Sequence, residues 1–255
     1  MAEVIIAILT VLIYMTLWFL YGQKKGRNDV ADIAWGPGFY VLALVLMLYS
    51  ESYDLYSILA LLMIAVWSVR LAAHISERHA KSSEDKRYVA MKNGWKFKTL
   101  QAYTNVFLLQ GVFMLLVSAP IILFFSDSTT QLSWYNWVGL LIWIIGFSFE
   151  AVGDSQLKKF LLKKSNKGKV MQQGLWQYTR HPNYFGEITL WWGFYIFTLF
   201  TEYWFIGIVG PVTITLLILG VSGIPMLEKR YKGNKEYDEY KKRTSSFFPL
   251  PSKTN

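Results

Sequence analysis

The sequence predicts an all-α integral membrane protein, a seven-helix transmembrane bundle with its N-terminus outside and its C-terminus in the cytoplasm. Three observations carry this. Apolar residues make up 53% of the 255 and aromatic residues 17%, more than an ordinary soluble domain carries. They gather in seven runs, each near the ~20 residues that cross a bilayer as a helix, and none shows the alternating ~10-residue pattern of membrane strands. Basic residues are confined to alternate connections, as expected for loops retained on the cytoplasmic side. No internal repeat is visible, and one membrane domain over residues 1–255 is expected.

Helix one is expected from Val4 to Tyr21. No basic segment precedes it, whereas Lys24 and Lys25 follow, the arrangement of a retained anchor rather than a cleaved signal. Helix two, Ile33 to Ser50, is approached through Arg27, Asn28, Asp29 and Asp32, with Trp35 and a Gly36-Pro37-Gly38 triplet behind them. Asp29 and Asp32 would face together on a helix already begun. Asp29 also reads as the N-cap of a solvated turn, while Asp32, nearer the apolar run, suits a carboxyl of raised pKa. The triplet is expected to bend or break the helix.

Helix three, Leu55 to His74, ends with Arg70 and His74 one turn apart and Arg78 a turn beyond. That basic face either snorkels to lipid phosphates or lines a site. Asp85, Arg87 and Tyr88 in the next loop read as surface or as a lid. Helix four, Tyr103 to Phe125, carries no comparable polar set. Helix five, Trp134 to Gly153, has glycines at 139, 146 and 153, a stripe on which packing against another helix is the ordinary explanation. Near its end lie Glu150 and Asp154, acids at a depth that marks either an ion pair or a ligand-lined interior.

Helix six, Tyr184 to Phe200, follows GLWQYTRHPNYFGE at residues 174–187. Pro182 reads as its first residue. Its free N–H groups and positive dipole end, beside Arg180, suit a phosphate. Asn183 and Glu187 share a face, with Tyr184 adjacent. Arg180 and His181 could instead be interfacial anchors and Glu187 a buried ion-pair member. Helix seven, Tyr203 to Ile224, leads to a tail with Glu228, Tyr237, Tyr240 and FFPLP at 247–251. The two tyrosines share a helical face and either cover a site or rest in the membrane interface.

Charge fixes the topology. Residues 22–32, 75–102, 154–183 and 225–255 hold three, seven, seven and eight Lys or Arg, 25 of the 26 in the chain. The intervening short connections hold none, only groups such as Glu51, Asp54, Asp127 and Glu202. The net charge of +9 is therefore topological, and nucleic acid is not expected as a partner. The absence of cysteine excludes disulfides and thiolate metal sites, and no metal site is expected. No glycine-rich dinucleotide turn, phosphate loop or HExxH motif occurs, so any nucleotide site must be built differently.

FEAVGDSQLKKF at 149–160, GLWQYTRHPNYFGE at 174–187, the spaced Glu228, Tyr237 and Tyr240, and DVADIAWGPGF at 29–39 together resemble the bacterial branch, domain of unknown function 1295, of the membrane steroid 5-alpha-reductase family. The resemblance implies NADPH in a cytoplasm-facing cavity lined by Asp154, Arg180, His181, Asn183, Tyr184, Glu187, Glu228, Tyr237 and Tyr240. It implies a lipophilic enone, such as a 3-oxo-4-ene steroid, reached from the membrane. Residues 1–102 would form the substrate side and 103–255 the cofactor side, in the inner membrane of a bacterium. The reaction implied is hydride transfer to the C=C bond while an acid holds the carbonyl. Steroid-reducing members use a Glu in helix two and a Tyr near the end of helix three. Here Asp32 and His74 stand nearest those places and are the expected catalytic pair. Isoprenylcysteine and phospholipid methyltransferases share a similar RHPxY segment, so S-adenosylmethionine is the alternative cofactor. A non-catalytic lipid-binding protein is the reading from another class. Membrane lipids are expected partners, and no protein partner is implied.

Overall fold

The computed structural model describes residues 1–80, 82–127, 132–199, 201 and 203–253. Helices α1 (Ala2–Lys25), α2 (Val30–Tyr49), α3 (Leu55–Ala80), α4 (Lys86–Asn93), α5 (Lys98–Val117), α6 (Ala119–Ser126), α7 (Trp134–Leu162), α8 (Pro182–Phe197), α9 (Trp204–Arg230) and α10 (Lys235–Arg243) follow one another. No strand occurs among the described residues; a single parallel bridge joins Thr179 to Ser245. The all-α membrane class is thus as expected. Six helices, α1, α2, α3, α5, α7 and α9, are long and apolar enough to cross a bilayer. The expected helix six is α8, which begins at Pro182 but has only 16 residues, about 24 Å at a rise of ~1.5 Å per residue. Its expected end at Phe200, and Glu202 beyond, lie outside the described residues.

Contacts group the chain into two compact units, Met1–Leu132 with Thr198–Gly210, and Ser133–Phe197 with Pro211–Asn255. In the first, α1 buries a narrow stripe, Ala7, Val11 and Met15, spaced four apart on one face, and Gly22 two turns further. Ile8, Leu9, Leu12, Ile13 and Leu17 stay exposed, an apolar face that a bilayer covers. Helix α2 runs unbroken through Gly36-Pro37-Gly38, contrary to one of the two expectations for that triplet. The glycines serve packing: a Cβ at Gly38 would collide with Met114 of α5, and one at Gly36 would lie 3.2 Å from the Ser68 carbonyl of α3. Helix four of the sequence reading is divided. Helix α5 starts earlier, at Lys98, contains a π-helical turn at Tyr103–Leu108, and gives way after Ser118 to α6, whose Pro120 sits at a position where a missing N–H is tolerated.

In the second unit, α7 and α8 approach backbone to backbone. Gly139, Gly146 and Gly153 of α7 meet α8, and α8 answers with Gly186 and Gly193. A Cβ at Gly139, Gly146, Gly186 or Gly193 would stand under 3.0 Å from main-chain atoms of the opposite helix; at Gly153 the nearest atoms are 3.2 Å away. With no hydrophobic drive between helices in lipid, such close van der Waals contact is what holds them. Asn136 closes the pair at one end, donating from Nδ2 to the Phe197 carbonyl at 2.6 Å. The approach fixes the other end, where α8 starts beside Gly153 and Asp154.

Candidate functional site

Two polar clusters stand out, one in each unit. In the first unit the α1–α2 connection is laced to the segment after α3. Asp29, 5% exposed, accepts from Arg27 Nε and Nη2 at 3.0 and 2.7 Å and from the Asp85 N–H at 2.9 Å, and meets His79 Nε2 at 3.1 Å. Asp29 does occupy the N-cap position of α2, but its side chain makes no cap hydrogen bond. The solvated turn of the sequence reading is instead a buried clasp. Burial opposes the charge on Asp29, yet the bonds from Arg27 and the Asp85 N–H, and the charges of Arg27 and His79, hold its carboxyl below the ordinary value. Glu84 adds a second fastening, accepting the Asn28 N–H at 2.7 Å and pairing with Lys92 at 2.8 Å.

This clasp delivers α4 to the start of α2. Tyr88, 6% exposed, donates from its hydroxyl to Asp32 Oδ1 at 2.6 Å, and Arg87 Nη2 donates to Asp32 Oδ2 at 2.9 Å. Gln110 of α5 donates from Nε2 to the Tyr88 hydroxyl oxygen at 3.2 Å, leaving its own Oε1 buried without a partner. Burial, then the negative charge of Asp32, push the Tyr88 hydroxyl above the ordinary tyrosine value, so it stays a proton donor. The structure brings Asp32 together with Tyr88. His74 lies half-buried on α3. Tyr88 was visible in the sequence only as a loop residue, because 56 residues separate it from Asp32.

In the second unit the expected residues Arg180, His181, Glu228, Tyr237 and Tyr240 converge. Arg180 is 7% exposed; Nε and Nη2 donate to Glu228 at 3.1 and 2.7 Å, and Nη1 to the carbonyls of Thr244 and Lys241 at 2.6 and 3.4 Å. Its guanidinium is therefore largely engaged in pinning the tail, and its N–H completes the seam by donating to the Ser245 carbonyl at 2.8 Å. Glu228 also meets His181 Nε2 and the Tyr237 hydroxyl, both at 3.3 Å, and pairs with Lys241 at 3.0 Å. Tyr240 donates to the Trp176 carbonyl. Burial raises the hydroxyls of Tyr237 and Tyr240 above the ordinary value.

His181 is fully buried, its ring stacked on Tyr184 at 5.6 Å, and its Nδ1 has no partner. Burial drives its pKa down to about 4, against the opposing pull of Glu228, so near neutral pH it is an uncharged imidazole. With Nε2–H directed to Glu228, Nδ1 is left as an acceptor for a hydroxyl or amide donor. Asn183 Nδ2 donates to Asp154 Oδ1 at 3.1 Å, joining the first turn of α8 to α7, and Glu187 lies half-buried one turn further. Among the described residues no group of three or more His, Asp or Glu is arranged to hold a metal.

A family model described as "Protein of unknown function (DUF1295)" matches residues 18–244. No curated protein and no solved structure matches the chain. On that coverage the chain belongs to the DUF1295 family.

Proposed function

We propose that this member of the DUF1295 family is an NADPH-dependent membrane reductase acting on the C=C bond of a lipophilic enone. The observation that carries the reading is the buried Tyr88–Asp32 hydrogen bond of 2.6 Å, backed by Arg87 and Gln110. A phenol kept protonated serves conjugate reduction at the carbonyl oxygen, where negative charge develops, once its single proton, which Asp32 accepts in this structure, turns to the substrate. The proposal places Tyr88, in preference to His74, beside Asp32 as the group that polarises the carbonyl. Asp32 positions the hydroxyl, and Arg87 holds the second carboxylate oxygen.

The second unit offers groups that fit a nicotinamide dinucleotide. The unpartnered Nδ1 of His181 suits a ribose hydroxyl or carboxamide N–H, Tyr184 presents an aromatic face, and Asn183, Asp154 and Glu187 supply further polar atoms at the start of α8. When bound, NADPH supplies the hydride. Arg180, Glu228, Tyr237 and Tyr240 then act as the frame that fixes residues 176–181 against the tail. Among them Arg180 shifts from the phosphate role of the sequence reading to a positioning one, since Glu228 and two carbonyls already take its donors.

The proposed topology has seven spans, with α8 as the short sixth of the chain's order, the N-terminus outside and the C-terminus in the cytoplasm of a bacterial inner membrane. Support comes from the 25 of 26 basic residues in alternate connections. The direct assay incubates purified protein with NADPH and a 3-oxo-4-ene steroid. Coupled, stoichiometric loss of the nicotinamide and enone absorbances is expected; turnover of neither with any lipophilic enone, alongside methyl transfer from S-adenosylmethionine, would contradict the reading.

A further inference from the structure

Residues 155–186 contain seven basic residues and no acidic one. In the other basic connections the structure pairs several cations with acids: Arg27 with Asp29, Arg87 with Asp32, Lys92 with Glu84, Lys241 with Glu228. In contrast, no ion pair engages Lys159, Lys163, Lys164, Lys167 or Lys169 among the described residues, and all five side chains are exposed. Between the lysine pairs, Leu161 and Leu162 stand 67% and 68% exposed at the end of α7.

Length explains where this segment lies. Helix α7 has 29 residues, about 43 Å at ~1.5 Å per residue, against a hydrocarbon thickness of ~30 Å. With Trp134 and Trp137, both exposed, as interfacial aromatics at its start, roughly the last two turns project beyond the hydrocarbon into the headgroup layer. There the helix is capped: Asn166 Nδ2 donates to the Phe160 carbonyl at 3.0 Å, and a 3₁₀ turn at Lys164–Asn166 with Gly168 at φ +82° folds the chain back. Lys163 and Lys164 follow the two leucines directly in the chain, and Lys167 and Lys169 flank Gly168. The Val170 N–H then rejoins the tail at Glu236, 3.2 Å away.

We infer that residues 159–169 form a docking surface for anionic phospholipid headgroups of the adjacent leaflet, Lys159, Lys163, Lys164, Lys167 and Lys169 binding phosphates and Leu161 and Leu162 entering the acyl boundary. A phosphate ligand from solution would have no use for two exposed leucines set between cations, whereas an acidic leaflet matches both. The inference rests on α7 spanning the membrane and is independent of the cofactor reading.

The chain has no cysteine, so a Ser165→Cys variant takes a single environment-sensitive fluorophore. The full-length protein is placed in phosphatidylcholine nanodiscs with or without phosphatidylglycerol, and quenching by neutral acrylamide is measured. Quenching is expected to fall several-fold with phosphatidylglycerol. High salt, or combined Lys163→Gln, Lys164→Gln, Lys167→Gln and Lys169→Gln, should restore it, and Leu161→Ser with Leu162→Ser should restore it in part. A label at Ser252→Cys in the basic tail should respond much less. Equal quenching in both discs, protection that survives the lysine substitutions, equal protection at residue 252, or protection by inorganic pyrophosphate in phosphatidylcholine discs would each overturn the assignment.

Discussion

Tyr88 and Asp32 hold each other, a buried phenol against a half-buried carboxylate. The carboxylate gives the buried hydroxyl an acceptor, and the hydroxyl and Arg87 give the carboxylate two donors. Tyr88→Phe removes the donor while keeping the ring, and Asp32→Asn removes the charge that orients it. Each is expected to lower enone reduction by roughly 10²–10⁴-fold, the range for a positioned acid, with little change in NADPH affinity; loss of both together would assign the pair to folding instead. His181 leads to a different kind of expectation. Its folded pKa of about 4 lies below the ordinary value of 6.5, so between these limits the unfolded chain binds more protons and stability rises with pH. Thermal unfolding should show the contribution intact above pH 6.5 and lost as pH falls to about 4. His181→Gln should flatten that part of the profile. The sequence made His181 visible as part of a dense polar set, but not its unpartnered Nδ1. That depends on Glu228, 47 residues away, taking the other nitrogen.

At the scale of elements, the seven-residue glycine spacing of α7 was legible as packing, and packing is what it serves. Its partner is equally present in the sequence as Gly186 and Gly193, at the same spacing on α8, amid polar residues at the start of that helix that also suit chemistry. The two stripes carry unequal weight. Gly186→Ala places a methyl against the main chain of Glu150, which cannot move alone, whereas at Gly153 the nearest atoms stand 3.2 Å off and a small shift suffices. Gly186→Ala should therefore lower stability by about 1–3 kcal/mol or more and displace the start of α8, while Gly153→Ala should cost clearly less in a thermal unfolding series. Helix boundaries were less legible. Hydropathy read Tyr103 to Phe125 as one span, but Pro120 after Ser118 starts a new helix, and the apolar windows could not register that α5 begins among polar residues at Lys98. The α4 segment was not legible as an element, since its only buried side chain is Tyr88 and the run at residues 88–91 shows no helical period.

For the whole molecule, membrane class followed directly from composition and from the separation of basic from non-basic connections. The number of crossings did not, because α8 is shorter than the usual span. Single cysteines in the cysteine-free chain resolve this. Ser83→Cys and Ser165→Cys should react with an impermeant thiol reagent only from the cytoplasmic side, and Tyr53→Cys and Trp204→Cys only from outside; residues 165 and 204 on one side would show that α8 does not cross. The central claim concerns what the protein holds, and one titration reaches it most directly. Purified protein, followed by tryptophan fluorescence, is titrated with NADPH and separately with S-adenosylmethionine. A saturable response to NADPH is expected, weakened by His181→Gln and by Asn183→Ala, and none to S-adenosylmethionine. Saturation by S-adenosylmethionine with no response to NADPH would contradict it.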